Sequence, residues 1–565
     1  MFANATILQK SIDNGLINTT NTVNWSGGNG GAGSSAAIIP DVEEGAVYTT
    51  PLQYAGYLAS VPRPAPLPPP PAPLNTTLAV GANVVKIVPA TGQIVWVSNI
   101  ADNSSIPTYA CGTNGTNVYP GGSFVNSAAI KNSNGTTFKT LSGENVYGNP
   151  TAYAVKYNVQ GVAQWAAKII ANGNYCQTYI TQVVTDGVNS YAIGNYTAVS
   201  LDFYNANGSL YATYSGQVGL QLPYGTVNNA YIVKYDPNGN VLWVSFVYSK
   251  YSYIYLNSIV YGPTGLYLTG VFGVSNLVSL YNPNVIDSGI SVKSASGTNG
   301  DTAIVFKYNS SGYAQWATVL ANNNSYGSSG NSVAVDSNDN VYATGSYRGP
   351  LNIYSASNQV TPVKTLPGNQ FTGIYSYLVR YDLSGNVQWG TYFAPTSQSG
   401  EMYTNNVITD NTGIYVTGQY YGSPLTFYNQ LRGSIGPMPY SLTGRFDTFL
   451  VKYDLAGVAI WATRLVGDST GANLPAGLIS GGGNIYIGGF FQSSTLTPYS
   501  TPLGSTPASF SLSNTNTTNN YVVAYDTNGV AQWALNPPIP AGKNADGEAP
   551  VVFADMLYTV VTVDN

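Results

Sequence analysis

The chain of 565 residues contains no histidine. That removes the commonest general base, the Ser-His-Asp and Cys-His nucleophile systems, and the usual zinc and copper sites. Charge is scarce as well: Asp, Glu, Lys and Arg make up 8% of the residues and the net charge is −5, where an ordinary soluble domain has about 25% charged residues. No basic run exists that would neutralise a row of phosphates, so nucleic acid is not expected as a partner. No apolar stretch reaches the roughly 18 residues that mark a membrane-spanning helix. The opening residues, MFANATILQKSIDNGLINTT, lack the basic-then-apolar pattern of a secretory signal. Two readings stay open: a protein kept inside the cell, or a component of a particle assembled in the cytosol, such as a virus. Cysteine is nearly absent too. Cys111 and Cys176 follow Trp96 and Trp165 by 15 and 11 residues. A disulfide between them would staple neighbouring repeats, worth about 4 kcal/mol in the chain-entropy model. Two free thiols are the equal alternative.

The residues that fill the space are uncharged. The chain has 47 Tyr, 62 Gly and 33 Pro. Tyr, Thr and Val suit pleated, half-buried surfaces, and Gly, Pro and Asn suit the turns between them. Seven of the eight tryptophans form a ladder: Trp96, Trp165, Trp243, Trp316, Trp389, Trp461 and Trp533, in steps of 69, 78, 73, 73, 72 and 72 residues. A glycine stands four residues before each, at Gly92, Gly161, Gly239, Gly312, Gly385, Gly457 and Gly529. One structural unit is therefore copied along the chain. In one unit, NNVITDNTGIYVTGQYYG and DTFLVKYDLAGVAIWATRL read as two hairpins with period-two alternation. Four antiparallel strands per unit, repeated radially, predict an all-β, seven-bladed β-propeller of four-stranded blades. The first unit offers only two strands and the C-terminal residues offer two more. The ring is expected to close through these half-blades, with Trp96 sharing a sheet with Leu557–Val563.

Three regions are expected: residues 1–60 as an anchoring or assembly extension containing Trp25, residues 61–78 as a proline-rich linker, and residues 79–565 as the propeller. The segment VPRPAPLPPPPAPL reads as an extended polyproline stalk. From the third unit on, an insertion follows the second strand and opens alike at Leu201–Tyr204, Leu351–Tyr354, Leu425–Tyr428 and Leu496–Tyr499. These insertions are expected on one face of the ring, as its interaction face.

The segments YIVKYDPNGNVLW, YLVRYDLSGNVQW and FLVKYDLAGVAIW, with SVAVDSNDNVYATG, resemble the SBBP family of β-propeller repeats. That family is known mainly from large surface and secreted proteins and carries no shared catalytic residues. The long insertions depart from its pattern. The first unit, VVKIVPATGQIVW, also looks like the repeats of quinone-dependent dehydrogenases, which hold their cofactor with calcium and nearby charged groups. Few charges are present here to do so.

Recurring polar residues read as structural. Asp236, Asp382, Asp454 and Asp526 suit turn starts. Lys156, Lys234, Lys307, Arg380 and Lys452 suit stems laid on a neighbouring blade, with Ile87 and Ala524 at that position in the other two units. No catalytic residue, metal ligand or cofactor is expected. Tyr204, Tyr354, Tyr428 and Tyr499 are the candidates for glycan or partner binding on the loop face, and Trp25 for anchoring. The sequence thus predicts a non-catalytic structural or adhesion protein on a cell or virus-particle surface, with other structural proteins as partners through residues 1–60. The alternatives are a lectin-like binder and, third, a quinone-dependent or carboxylate-based enzyme.

Overall fold

The computed structural model describes residues 78–565, apart from short stretches of which 103–109, 293–299 and 440–445 are the longest. The chain divides into two compact units, Met1–Pro73 and Leu74–Asn565. The described residues all belong to the second unit. The anticipated extension, its Trp25 and most of the linker lie outside them. Among the described residues every regular element is a strand.

The unit ending at Trp461 shows the plan. Its innermost strand, Glu401–Asp410, pairs with Gly413–Tyr421, then Asp447–Tyr453, then the outer strand Ala459–Gly467. Innermost strands follow one another about an axis: Ala110–Thr113 against Gln177–Thr185, then Ile254–Gly262, Ser328–Val335, Glu401–Asp410, Asn473–Gly481 and Val551–Phe553, which returns to Ala110–Thr113. This is a propeller ring. At its join, Gly81–Ile87 lies between Ile94–Asp102, which carries Trp96, and Met556–Val563, with Ile87 opposite Leu557 and Gly81 opposite Val563.

The expected ring of seven four-stranded blades is corrected. Six blades, not seven, are built to the extended plan, each a sheet of six or seven strands; the sheet around Trp533 alone has four. The insertions cause the widening. Leu425–Tyr428, inserted in the Trp461 unit, pairs with the outer strand Val387–Pro395 of the preceding, Trp389 sheet, and Ser434–Met438 pairs outside it. A bare outer strand would leave a row of unpaired N–H and C=O groups, and the hairpin covers that row. The insertions therefore widen the rim instead of gathering on one face. A sixth such hairpin, Ser127–Lys131 with Thr137–Ser142, sits in the second unit and caps the Trp96 sheet. Sequence reading placed no insertion there.

The exception has a local cause. In all six extended sheets the hairpin meets the residue four positions past the tryptophan: Ile100, Ile169, Val247, Leu320, Phe393 and Leu465. In the Trp533 sheet that position is Pro537, followed by Pro538 and Pro540. Proline has no N–H to give a ladder. The outer strand stops at five residues, Ala531–Leu535.

Each tryptophan seals a seam. The turn glycine of one sheet lies against the ring of the tryptophan before it: a Cβ on Gly239 would stand 2.8 Å from Trp165, and one on Gly385 2.7 Å from Trp316. Both glycines also hold positive φ, +80 and +78. The series ends with Gly92 against Trp533, across the join. Burying one such indole contributes roughly 2–3 kcal/mol.

Candidate interaction surfaces

The recurring cations act at these seams. Opposite Trp96, Trp165, Trp243, Trp316, Trp389 and Trp461 stand Lys86, Lys156, Lys234, Lys307, Arg380 and Lys452. Assigning Ile87 to this position was off by one, because the first unit's turn is one residue longer; Lys86 occupies it. Cation and indole often donate to one carbonyl of the next sheet's turn. Lys86 Nζ and Trp96 Nε1 donate to Val159 O at 3.0 and 2.9 Å. Lys156 Nζ and Trp165 Nε1 both donate to Pro237 O at 3.1 Å. Arg380 Nη1 and Trp389 Nε1 both donate to Leu455 O at 3.3 Å. Each lysine also lies over a tyrosine of the second strand, as Lys307 does over Tyr267 at 4.8 Å. Burial lowers the pKa of Lys86, Lys156, Lys234, Lys307 and Lys452. The Trp533 sheet has Ala524 here.

The carboxylates close turns. Asp236 Oδ1 accepts from Asn238 N and Asn240 N, both at 2.8 Å. Asp336 does the same for Asn338 and Asn340. Among the described residues no group of three or more Cys, Asp or Glu is placed to hold a metal ion. Toward the axis, amides join adjacent innermost strands: Asn257 Nδ2 donates to Gly330 O at 2.8 Å and Asn331 Nδ2 to Thr404 O at 2.6 Å.

The four candidate tyrosines sit at the ends of the first strands of four different rim hairpins, so they form no common site. Tyr204 lies under Lys168, 4.8 Å from its ring, and Tyr499 under Arg464, at 4.7 Å. Tyr428 stacks on Tyr392 with centroids 4.3 Å apart. Tyr354 is 4% exposed. Each packs against the outer strand of the preceding sheet. Tyr281, in Val278–Tyr281, holds the same place; the spacing of that segment would have disclosed it. Cys176 is a buried free thiol, and the Cys111 side chain, its candidate partner, lies outside the described set. Burial raises the pKa of Cys176.

Sequence reading missed two surfaces. At two neighbouring rim corners apolar side chains stand in solvent. Val360 is 88% exposed, with Val363 and Leu383 also exposed in that region. At the next, Leu431 is 78% exposed; Gln430 N beside it donates to Gly457 O at 3.0 Å, which brings it to the turn exposing Leu455 and Val458. Elsewhere Phe446 stands between Tyr403 and exposed Tyr421, with centroids at 6.4 and 5.7 Å, and Tyr403 Oη donates to Glu401 Oε2 at 3.4 Å.

No protein-family model matches the chain. It is similar to an uncharacterized WD repeat-containing protein, L264, of Acanthamoeba polyphaga mimivirus, at 25% identity over 417 residues, which is 68% of this chain and 29% of that protein. The chain thus spans less than a third of that relative. Among solved structures, the Dos1 propeller aligns over 78% of this chain and 96% of its own, at 12% identity and a TM-score of 0.27. So loose a superposition carries no argument, and the propeller ring rests on the order of its own strands.

Proposed function

We propose that the protein is a non-catalytic interaction scaffold of a virus particle or cell surface, built of SBBP-type repeats and held through residues 1–60. The observation that carries the scaffold reading is the pair of apolar rim corners, around Val360 and around Leu431. Exposed apolar clusters on a polar molecule mark protein contacts. The repeated polar groups support it further: the turn carboxylates and seam cations hold strands and sheets together. Particle display draws on the similarity to a virus protein and on the uncharged, Asn- and Tyr-rich composition.

Mass spectrometry of purified particles and surface fractions tests the location: the protein is expected there at fixed stoichiometry, and its absence from both ends that reading. Leu431→Asp with Val458→Asp tests the surface. Co-purifying protein is expected to fall severalfold while the thermal midpoint holds. Unchanged co-purification would remove the rim corner from the proposal. A second reading, glycan binding, is favoured by the rings of Tyr403, Phe446 and Tyr421 beside Glu401, since aromatic faces with a nearby carboxylate suit a sugar ring. A glycan array of wild type against Tyr421→Ala decides it.

A further inference from the structure

One ring pair departs from the others in geometry. Tyr392, on the outer strand of the Trp389 sheet, and Tyr428, on the rim hairpin that caps that sheet, stack with centroids 4.3 Å apart and planes 12° from parallel. Two other stacked tyrosine pairs among the described residues, Tyr191–Tyr261 and Tyr248–Tyr281, lie at 5.5 and 6.3 Å with 21° and 26° between planes. The two tyrosines rise from paired antiparallel strands, each next to the facing pair Phe393 and Phe427. A near-parallel stack at this separation holds the ring carbons of one phenol against those of the other. Phenoxyl radicals join through those carbons.

The composition steers oxidation toward such a pair. The chain has 2 Cys, 4 Met and no His, against 47 Tyr. Thiol and thioether, the usual sinks for oxidising equivalents, are thus rare. Trp389 lies on the same strand, and its side chain is buried at the seam. Tyr392 and Tyr428 are each half-buried.

We propose that Tyr392 and Tyr428 are a modification site at which a peroxide-driven, one-electron oxidant of the haem-peroxidase class forms a dityrosine bond. Each phenol gives up one electron and its hydroxyl proton. The two radicals join ring carbon to ring carbon, ortho to oxygen, and the hydrogens on those carbons move as protons to the two oxygens. Hydrogen peroxide takes up the two electrons and two protons and leaves as two waters. The bond ties a hairpin inserted in the Trp461 unit to the outer strand of the Trp389 sheet, making one rim contact covalent.

The test treats the full-length protein with peroxidase and limiting hydrogen peroxide, then reads dityrosine fluorescence and maps cross-linked peptides. The expected result is an intramolecular peptide pair joining Tyr392 to Tyr428 as the main product. Tyr428→Phe keeps the stacked ring but removes a phenol, and should lower the fluorescence severalfold. Tyr248→Phe should leave it unchanged. Denaturing the chain before treatment should scatter the products. Cross-links mainly at other tyrosines, or wild-type fluorescence from Tyr428→Phe, overturns the assignment.

Discussion

The Trp389 sheet and the Trp533 sheet are copies of one unit, yet the first is six strands wide and the second four. In the first, the outer strand runs nine residues, Val387–Pro395, and takes a hairpin from the next unit. In the second it stops at Leu535, before Pro537 and Pro538. Trp389 is buried at 7% exposure, whereas Trp533 is half-buried. Arg380 reaches across the first seam, while Ala524 stands at that place in the second sheet. Two prolines thus separate a capped sheet from a bare one, and rim and seam change together. The inner three strands of both sheets remain alike, which places the stability of the ring inside and its variation at the edge.

The largest expected effect is one that should not respect this difference. Burial raises the pKa of Tyr381 in the wide sheet and of Tyr525 in the narrow one far above the ordinary 10.0; burial, with Asp410 and Asp526 nearby, takes Tyr415 to about 12. An acid whose folded pKa is raised contributes stability fully below its unfolded pKa and loses it as pH rises further, because the unfolded chain ionises first. The seam lysines act oppositely: their lowered pKa means a burial cost at neutral pH that fades as they deprotonate. The tyrosines are more numerous and more deeply buried, so they should decide the outcome. Cooperative unfolding is expected above pH 10, with phenolate absorbance and loss of β circular dichroism rising together. Separate transitions would show the two kinds of sheet to be independent.

Next in size, Trp389→Ala should cost about 3–5 kcal/mol. Trp533→Ala should cost visibly less, since its ring is already half in solvent; denaturant midpoints compare the two. Equal losses would mean that the proline-stopped edge is covered in solution. Gly239→Ala meets both a positive φ and the Trp165 ring, and should cost about 2–4 kcal/mol. Arg380→Ala removes the bonds to Leu455 O across the seam and to Asn340 Oδ1 and should cost about 1–2 kcal/mol. The smallest stability effect belongs to Pro537→Val with Pro538→Thr, which gives the narrow sheet a pairing edge. Concentration-dependent association by light scattering is the expected outcome; a single unchanged mass would show that prolines are not what keeps that edge closed.

The repeat was legible because its signals are large and local. Trp and the glycine before it recur at nearly fixed spacing, and each has a steric reason to do so. The asymmetry was written in the chain as well: Asn-Pro-Pro-Ile-Pro follows Trp533 alone, but its meaning depends on knowing that a hairpin from another unit docks there. That docking is non-local, and no spacing within a unit reveals it. The same limit hid what the candidate tyrosines pack against. Their repeated Leu-x-x-Tyr pattern marked a real common role, which is packing against a neighbour's outer strand. Lys86 was lost to a one-residue difference in turn length. The apolar rim corners escaped because Val360 and Leu431 lie in variable stretches with no counterpart in other repeats.

The rim hairpin gives the ring a direction. Every capped sheet borrows its last two strands from the unit that follows, so no unit is complete in itself and each lends backward what it receives from ahead. A unit duplicated in tandem would arrive with a cap for its predecessor and an edge awaiting its successor. An array of this kind can lengthen by whole copies without exposing an edge, until a copy ending in prolines declines the next hairpin and stops the series.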